Sequence, residues 1–366
     1  MRILYIIPVI VEGGGVEKIL YDWVSRFDKK MLAVDILAGK IVSEKKKAEF
    51  EQLGCSVYEF GCSMWRIDRR VKILRKILAH GYDIVHIHSA SSVDAWMLRE
   101  AKKAGIDVRI IHSHNAVETG KLTTRFAFFV TKPFLRKYAT HFWGCSEKSI
   151  YTLCGMAESV RKNHRVIKNG IQIERYLYNA LAREKIRNNF NLGARFVIGN
   201  VGRLCTQKNQ IFLLEVFAEV LKTEKNAVLM LVGDGDMKSV LQKKAAALGV
   251  EKNIIFTGNV SNVEELYQAM DCYVMTSIYE GLVIAGIEAQ CAGLPCIFSS
   301  SITQEVKITD NAEFISLDEN PFCWAERIFT FKNFVRRDMS GAIKAAGYEI
   351  NAVSADLQNL YLNMEK

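Results

Sequence analysis

Short apolar segments alternate with amphipathic segments along almost the whole chain, and this alternation constrains the fold more than any other feature. In the first half we predict strands at residues 2–8, 32–38, 56–60, 83–89, 108–114, 141–146 and 165–168. Predicted helices separate them at 15–27, 44–53, 67–79, 93–104 and 122–138. Nearly continuous apolar strands joined by helices indicate a parallel sheet that is covered by helices on both faces.

The same alternation restarts near residue 196. Predicted strands lie at 196–202, 227–233, 253–258, 271–277 and 295–299, with helices at 207–221, 237–248, 263–269 and 283–292. Three further helical segments follow at 321–334, 340–348 and 354–364. We therefore predict two doubly wound α/β domains, over 1–180 and 181–353, with the segment 354–366 able to pack back on the first. The polar stretch 172–194 is the expected boundary.

In open α/β sheets, ligands bind beyond the carboxyl ends of the strands. We therefore expect the two domains to face each other across a cleft that holds the functional site, and motifs at strand ends deserve most weight.

Charge is distributed unevenly along the chain. The net charge is +9, but residues 1–180 hold 30 basic and 18 acidic side chains, whereas the remainder holds 19 and 22. This asymmetry suggests that the first half meets an anionic partner, although a solvated basic face would look the same.

The nine cysteines include no C-x-x-C pair, and no apolar run approaches the roughly 20 residues of a spanning helix. The N-terminus lacks the features of a signal peptide, so we expect a cytoplasmic protein.

Two motifs follow predicted strands of the first domain. Gly13–Gly15 precede a helix, where backbone N–H groups suit a phosphate, although a tight turn explains such a run equally well. His86 and His88 end one strand, and His112 and His114 end the next, so each pair points to one side. No carboxylate accompanies either pair at an obvious metal-ligand spacing, which favours hydrogen-bonded core imidazoles. His114, at a strand end, is the best functional candidate of the four.

The second domain begins with a comparable arrangement. Arg203 follows its first strand, and Lys208 lies five residues further on, so that the two cations could clamp a diphosphate or simply lie in a solvated loop. Asp234-Gly235-Asp236 matches a D-x-D metal pattern. Because it opens a helix, we favour Asp236 as an N-cap.

The segment Ser277–Glu288 is the most specific motif. Glu280 lies in the loop that leaves a strand, and Glu288 lies eight residues later, inside the next helix. The amides of Leu282 and Val283 would lie at the positive end of that helix, which suits phosphate. The neighbours of Glu288 are apolar, so its carboxylate needs a polar partner.

Taken together, these motifs resemble the retaining glycosyltransferases of the GT-B fold, family 4 (group 1), especially those of bacterial capsular and exopolysaccharide synthesis. The resemblance covers essentially the whole chain and rests on seven segments in the family's order. They are Gly13–Gly15, His112–His114, Cys145–Glu147, Asn169–Ile171, Gly202–Asn209, Val232–Gly235 and Glu280–Glu288.

The resemblance implies roles for individual residues. Arg203 and Lys208 would hold the donor diphosphate, Glu280 the hydroxyls of the donor sugar, and Glu288 the ribose. The backbone of Leu282 and Val283 would meet sugar or phosphate, and Asn259–Val260 would seat the uracil. From the first domain, Gly14 and Gly15 would meet the diphosphate, and His114 would lie beside the transferring sugar. The family's front-face mechanism requires neither a metal nor another cofactor. Gly286 and the pair Met275-Thr276 depart from the usual pattern.

The implied activity is transfer of a hexose or N-acetylhexosamine from a nucleotide sugar, expected to be a UDP-sugar, to a hydroxyl of a glycan acceptor. A polyprenyl-diphosphate-linked saccharide is the expected acceptor, and galactose, glucose and N-acetylglucosamine stay open as the sugar. The alternatives are a GT-B-like sugar-nucleotide epimerase, or a non-enzymatic protein that binds nucleic acid or a membrane surface. Because the chain has no nucleic-acid reader motif, we expect no nucleic-acid partner.

Two predicted helices of the first domain combine basic and apolar side chains, as helices that lie on anionic bilayers do. We therefore expect peripheral docking on the inner face of the cell membrane, although helices that merely pack on a sheet show similar patterns. The residues proposed for this surface or for the acceptor are Arg69, Arg70, Arg75, Lys76, Arg125, Phe128 and Phe129.

Overall fold

A computed structural model describes residues 1–89, 91–114, 122–281 and 283–364, with the backbone alone for 122–129. The chain divides into two compact units. The first comprises Met1–Gly170 together with Ile350–Lys366, and the second comprises Ile171–Glu349. None of the described helices combines the length and the apolar character needed to cross a bilayer.

The first unit is built on a seven-stranded parallel sheet in the order β3-β2-β1-β4-β5-β6-β7. Its strands are β1 (Arg2–Ile10), β2 (Ala33–Ile41), β3 (Val57–Glu59), β4 (Ile84–His88), β5 (Val108–Ser113), β6 (His141–Gly144) and β7 (His164–Val166). Its helices up to residue 170 are α1 (Gly15–Val24), α2 (Glu44–Gln52), α3 (Ile67–Leu78), α4 (Ala95–Lys103), α5 (Leu122–Tyr138), α6 (Glu147–Cys154) and α7 (Glu158–Lys162).

Two apolar clusters sandwich this sheet because successive strand residues point to opposite faces. Ile3 and Tyr5 of β1 belong to one cluster, whereas Leu4 and Ile6 belong to the other. Strands β4 and β5 are buried along their whole length. Helices therefore cover both faces, as the continuous apolar runs predict.

The second unit is built on a six-stranded parallel sheet in the order β10-β9-β8-β11-β12-β13. Its strands are β8 (Val197–Val201), β9 (Val228–Val232), β10 (Ile254–Gly258), β11 (Cys272–Met275), β12 (Cys296–Ser299) and β13 (Ala312–Ile315). Its helices are α8 (Ile173–Tyr176), α9 (Ala180–Asn189), α10 (Gln210–Thr223), α11 (Lys238–Leu248), α12 (Val263–Ala269), α13 (Ile284–Cys291), α14 (Pro321–Phe329) and α15 (Ser340–Ala345). The prediction of two doubly wound parallel-sheet domains is confirmed.

The stretch expected to hold the domain boundary is folded into the second unit, and the division falls at Gly170–Ile171 rather than near residue 180. Helices α8 and α9 together occupy most of that stretch, and the Asn179 side chain accepts a hydrogen bond from the Ala182 N–H at the start of α9. Arg183 pairs with Asp271. The polarity of this stretch therefore reflects a capped, ion-paired helix instead of a linker.

The last helix, α16 (Ile350–Leu362), follows the second unit in the sequence but belongs to the first. Ile350, Leu357 and Tyr361 enter the same apolar cluster as β1. The Tyr361 hydroxyl lies 2.9 Å from that of Tyr5, and the Gln358 side chain accepts a hydrogen bond from the backbone of Asp28.

Candidate active site

Three strand ends of the second unit are tied together by backbone hydrogen bonds. The Gly202 N–H donates to the Val232 carbonyl over 2.9 Å, and the Gly233 N–H donates to the Gly258 carbonyl over 3.0 Å. Gly233 has φ +129°, and a Cβ there would lie 2.2 Å from the Gly202 carbonyl oxygen. Only glycine permits this approach, which packs the loops after β8, β9 and β10 against one another.

The loops that follow β8 and β11 are joined to each other in the same way. The Ile278 N–H donates to the Gln207 carbonyl, and the Gln207 side chain donates to the Tyr279 carbonyl, each over 2.9 Å. These bonds hold the Lys208 ammonium 2.7 Å from a carboxylate oxygen of Glu280. Both side chains are largely buried, at 16% and 8% exposure, so the ion pair is shielded from bulk water. Two residues 72 positions apart are thus brought into contact.

Arg203 lies beside this pair in sequence but in a different environment. Its side chain is exposed, and its guanidinium has no hydrogen bond or ion pair within the described part of the chain. Its backbone carbonyl accepts a hydrogen bond from Gln210, which anchors the loop while leaving the side chain free. An unpaired guanidinium at a strand end is well suited to bind an anion bidentately.

Glu288 lies in α13 and is only 4% exposed. Its two carboxylate oxygens accept hydrogen bonds from the hydroxyls of Tyr176 (2.6 Å) and Tyr267 (3.0 Å). Burial and the adjacent carboxylate together raise the pKa of both tyrosines, which keeps the two hydroxyls protonated as donors. The polar partners that the apolar surroundings of Glu288 require are therefore present. Tyr176 is 112 residues away, and sequence reasoning had no signal for it.

Packing around α13 explains the glycine at position 286. A Cβ there would lie 2.9 Å from the Phe298 ring and 3.1 Å from Val306, so a larger residue has no room.

Val283 is buried at the N-cap position of α13, whereas Leu282 lies outside the described residues. Asn259 is exposed and Val260 partly buried in the loop after β10, and the Asn259 side chain has no hydrogen bond among the described residues.

The prediction that Asp236 caps a helix is wrong. Helix α11 begins at Lys238, with Met237 at the N-cap position and no side-chain cap. Asp234 instead accepts a hydrogen bond from the Gly235 N–H over 2.8 Å and pairs with Lys238. These contacts lower the pKa of Asp234 below its usual value, so its carboxylate is charged and engaged locally.

The glycine turn of the first unit encloses a carboxylate that sequence reasoning missed. Glu17, only 3% exposed, accepts a hydrogen bond from the Val11 N–H over 3.2 Å, and burial raises its pKa. A Cβ on Gly14 would lie 2.0 Å from a carboxylate oxygen of Glu17, whereas a Cβ on Gly15 would meet no atom within 4 Å. The side of the turn at Gly15 is therefore the open one.

The four strand-end histidines of the first unit form one cluster. The rings of His86 and His88 stack with centroids 4.1 Å apart, and those of His112 and His114 stack at 4.4 Å. Burial lowers the pKa of His114 to about 4, and burial with the neighbouring histidines lowers the pKa of the other three well below the usual value. All four imidazoles are thus neutral at pH 7.

The basic residues of α3 have different surroundings. Arg75 pairs with the buried Glu100 at 2.7 Å, and the guanidinium of Arg70 lies 4.0 Å from the centroid of the Phe60 ring. Arg69 and Lys76 are exposed, and neither side chain has a hydrogen bond or a close ion pair among the described residues. Just before α3, the side chains of Met64 and Trp65 are 65% and 84% exposed, a feature that sequence reasoning did not single out. The side chains of Arg125, Phe128 and Phe129 lie outside the described residues.

Comparison with known proteins connects both units to one family. The sequence model described as Glycosyltransferase Family 4 matches residues 13–175, and the model described as Glycosyl transferases group 1 matches residues 182–330. The putative glycosyltransferase EpsF of Bacillus subtilis is 32% identical over 251 residues, which are 68% of this chain and 65% of that protein.

A second relative is named UDP-Gal:alpha-D-GlcNAc-diphosphoundecaprenol alpha-1,3-galactosyltransferase, from Escherichia coli. It is 27% identical over 63% of this chain and 60% of its own length. The chain thus spans slightly less than two thirds of either relative. Among solved structures, Anabaena HepE in complex with UDP and glucose superposes with a TM-score of 0.82 over the full length of both chains, at 18% identity. The parallel-sheet units, the two family matches and these relatives agree, and the chain belongs to the family 4 (group 1) glycosyltransferases of the GT-B fold.

Proposed function

We propose that the chain is a retaining glycosyltransferase that moves a hexose or N-acetylhexosamine from a UDP-sugar to a hydroxyl of a glycan acceptor. The observation that carries this proposal is the shielded Lys208–Glu280 pair at adjoining strand ends, with the unpaired Arg203 in the same loop as Lys208. This arrangement supplies two cations for a departing diphosphate and one carboxylate for sugar hydroxyls.

The chemistry follows from the charges. As the sugar–phosphate bond breaks, negative charge grows on the diphosphate, and Arg203 and Lys208 stabilise it. The diphosphate competes with Glu280 for the Lys208 ammonium, so donor binding loosens the ion pair and frees carboxylate lone pairs to accept hydrogen bonds from the sugar. Rate enhancement then comes from positioning and electrostatic stabilisation, without a covalent protein intermediate.

The remaining predicted residues keep the roles implied by the family. Glu288, held by two tyrosine hydroxyls, is proposed to bind the ribose, and the Asn259–Val260 loop is proposed to seat the uracil. Gly14, Gly15 and His114 belong to the first unit, and their contribution to donor binding is likewise a proposal.

A donor screen tests the activity. The purified protein is incubated with UDP-, GDP- and ADP-sugars, and binding is followed by the melting temperature and slow hydrolysis by nucleotide release. One UDP-sugar should raise the melting temperature more than UDP alone, and Glu280→Gln should abolish that difference. Failure of every nucleotide sugar at millimolar concentration would contradict the proposal.

Lys208→Met should lower the turnover rate by roughly 10²–10³-fold, which is the usual cost of removing one electrostatic stabiliser. Lys244 and Glu215 form a second ion pair of similar length (2.6 Å) in the same unit, away from the strand ends. Lys244→Met and Glu215→Gln are therefore matched controls and should retain activity. An equal loss of turnover in the variants of both ion pairs would show that Lys208 acts on the stability of the unit and not on the reaction.

We propose further that the acceptor is a polyprenyl-diphosphate-linked saccharide reached by peripheral docking on an anionic bilayer. The relative from Escherichia coli is named for a diphosphoundecaprenol-linked substrate, which supports this acceptor class. The exposed Trp65 just before α3 and the exposed Arg69 and Lys76 within α3 support docking, because aromatic rings lie at the headgroup level and lysine or arginine attracts anionic lipids.

Flotation with anionic and zwitterionic vesicles tests the docking surface. Wild-type protein should float with anionic vesicles at low salt and dissociate as salt is raised. Trp65→Ala and the double variant Arg69→Glu/Lys76→Glu should reduce flotation, whereas Lys102→Glu on α4 should not. Equal flotation of all variants would assign the binding to net charge alone.

A further inference from the structure

The adjacent strands β4 and β5 bring four histidines onto one face of the first sheet. His88 and His112 are register partners, and His86 and His114 extend the group in opposite directions along the strands. His86, His88 and His112 are at most 1% exposed, and His114, at the strand end, is mostly buried. No step of the proposed glycosyl transfer uses His86, His88 or His112.

The hydrogen bonds of these rings are incomplete. His86 Nδ1 lies 2.6 Å from the Tyr361 hydroxyl, His86 Nε2 lies 3.2 Å from His112 Nδ1, and His88 Nδ1 lies 2.9 Å from His114 Nε2. Nε2 of His88, Nε2 of His112 and Nδ1 of His114 have no hydrogen-bond partner within the described part of the chain. Buried polar atoms in native proteins are almost always paired, so three such nitrogens in one cluster require an explanation.

We propose that His86, His88 and His112 bind a divalent transition-metal ion of the Zn²⁺ type. Each of the three offers a ring nitrogen, and these nitrogens all lie within 4.8 Å of one another. Neutral imidazole is a preferred ligand of such ions, and three histidines leave a fourth position for water or another ligand. Binding through Nε2 of His88 and Nε2 of His112 satisfies two of the three orphaned nitrogens, and binding through Nε2 of His86 replaces its 3.2 Å contact with His112.

The surroundings supply the outer contacts that a metal site needs. Metal-ligating histidines usually engage their second ring nitrogen with a polar group, which fixes the orientation of the ring. Here the Tyr361 hydroxyl holds Nδ1 of His86, and His114 holds Nδ1 of His88. Tyr361 is itself fixed by the hydroxyl of Tyr5 at 2.9 Å. With these outer contacts on Nδ1, Nε2 of His88 is left for an ion, and Nε2 of His86 can bind it by giving up its contact with His112.

Titration of tag-free, chelator-treated protein with Zn²⁺ and Co²⁺ tests this site without any sugar nucleotide, so its result is independent of the proposed activity. We expect one ion per chain by calorimetry. The Co²⁺ complex should show visible d–d bands without a thiolate charge-transfer band. A metal-free protein that binds neither ion, or a spectrum dominated by thiolate charge transfer, would overturn the proposal.

Variants locate the ion. His88→Asn and His112→Asn should each weaken binding by at least about 100-fold, and Tyr361→Phe, which removes only a hydroxyl, by about 10-fold. The exposed His80 provides the control, because His80→Asn is the same change outside the cluster and should leave binding unchanged. If a histidine variant fails to fold, the metal affinity of Tyr361→Phe is the measurement that tests the proposal. Unchanged affinity in Tyr361→Phe, or in folded His88→Asn and His112→Asn, would overturn the proposal.

Discussion

The hydrogen bond from Tyr176 to Glu288 offers a direct test of how the second unit is stabilised. The bond is 2.6 Å long, its acceptor is a carboxylate, and both residues are almost fully buried, at 3% and 4% exposure. Tyr176→Phe keeps the ring and removes only the donor. A hydrogen bond to a charged group contributes about 1.5–3 kcal/mol, and Tyr267 still serves the same carboxylate, so we expect a loss of about 2 kcal/mol.

For a unit of about this length, each kcal/mol lowers the melting temperature by about 2–4 °C, so Tyr176→Phe should lower it by about 4–8 °C. Differential scanning calorimetry of the full chain measures this shift. Tyr178 provides the matched control, because it lies two residues away and is 42% exposed. Its contact with Arg336 is made by the ring, which phenylalanine retains. Tyr178→Phe should therefore change the melting temperature by about 1 °C or less.

Equal melting temperatures for Tyr176→Phe and Tyr178→Phe would refute the reasoning, since a buried carboxylate that loses a donor at no cost would not depend on its tyrosine partners. A second outcome is informative in the double variant Tyr176→Phe/Tyr267→Phe. Because both hydroxyls serve one carboxylate, the double variant should be less stable than the sum of the single effects predicts.

Three further outcomes are expected. Gly286→Ala should lower the free energy of unfolding of the second unit by about 1–3 kcal/mol in chemical denaturation, because its Cβ meets the Phe298 ring. Gly341→Ala is the control and should cause no such loss, because no atom lies within 4 Å of the new Cβ. Burial lowers the folded-state pKa of His114 to about 4, so its contribution to stability is present above about pH 6.5 and is lost as the pH falls toward 4. His114→Gln should therefore flatten the dependence of the melting temperature on pH in that window. Burial raises the pKa of Glu17, so ionisation of this carboxyl favours the unfolded chain. The stability gained by Glu17→Gln should therefore grow as the pH rises above about 4.5. A gain in stability that does not vary with pH would contradict a raised pKa for Glu17.

Sequence patterns predict the sheets well because the strands are defined by local apolar runs. β4 and β5 are buried residue by residue, and such runs are visible without any knowledge of the fold. Helix α9 was harder to recognise, because it buries only Ile186 and Arg187 and most of its surface is polar. β13 is four residues long with a glutamate at its second position, so it lacks the continuous apolar character of a strand such as β9.

The residues of the candidate site likewise fall into those that a local sequence pattern reveals and those that it does not. Arg203, Lys208 and Glu280 could be found because each follows a strand, and the carboxyl ends of parallel strands share one edge of the sheet. The partners of Glu288 and the enclosed carboxylate of Glu17 could not be found in this way, because they depend on side chains brought together by tertiary packing. Local pattern therefore locates the strand-end residues, and the fold decides what each of them contacts.

The position of α16 has a consequence for the order in which the protein can fold during synthesis. Ile350, Leu357 and Tyr361 supply part of the apolar core of the first unit, and these residues are translated after the whole of the second unit. On the ribosome, residues 171–349 can therefore reach their final packing first. Residues 1–170, although they are synthesised earlier, still expose apolar surface around β1 at that stage. A nascent chain stalled before residue 350 should consequently be the species most in need of a chaperone.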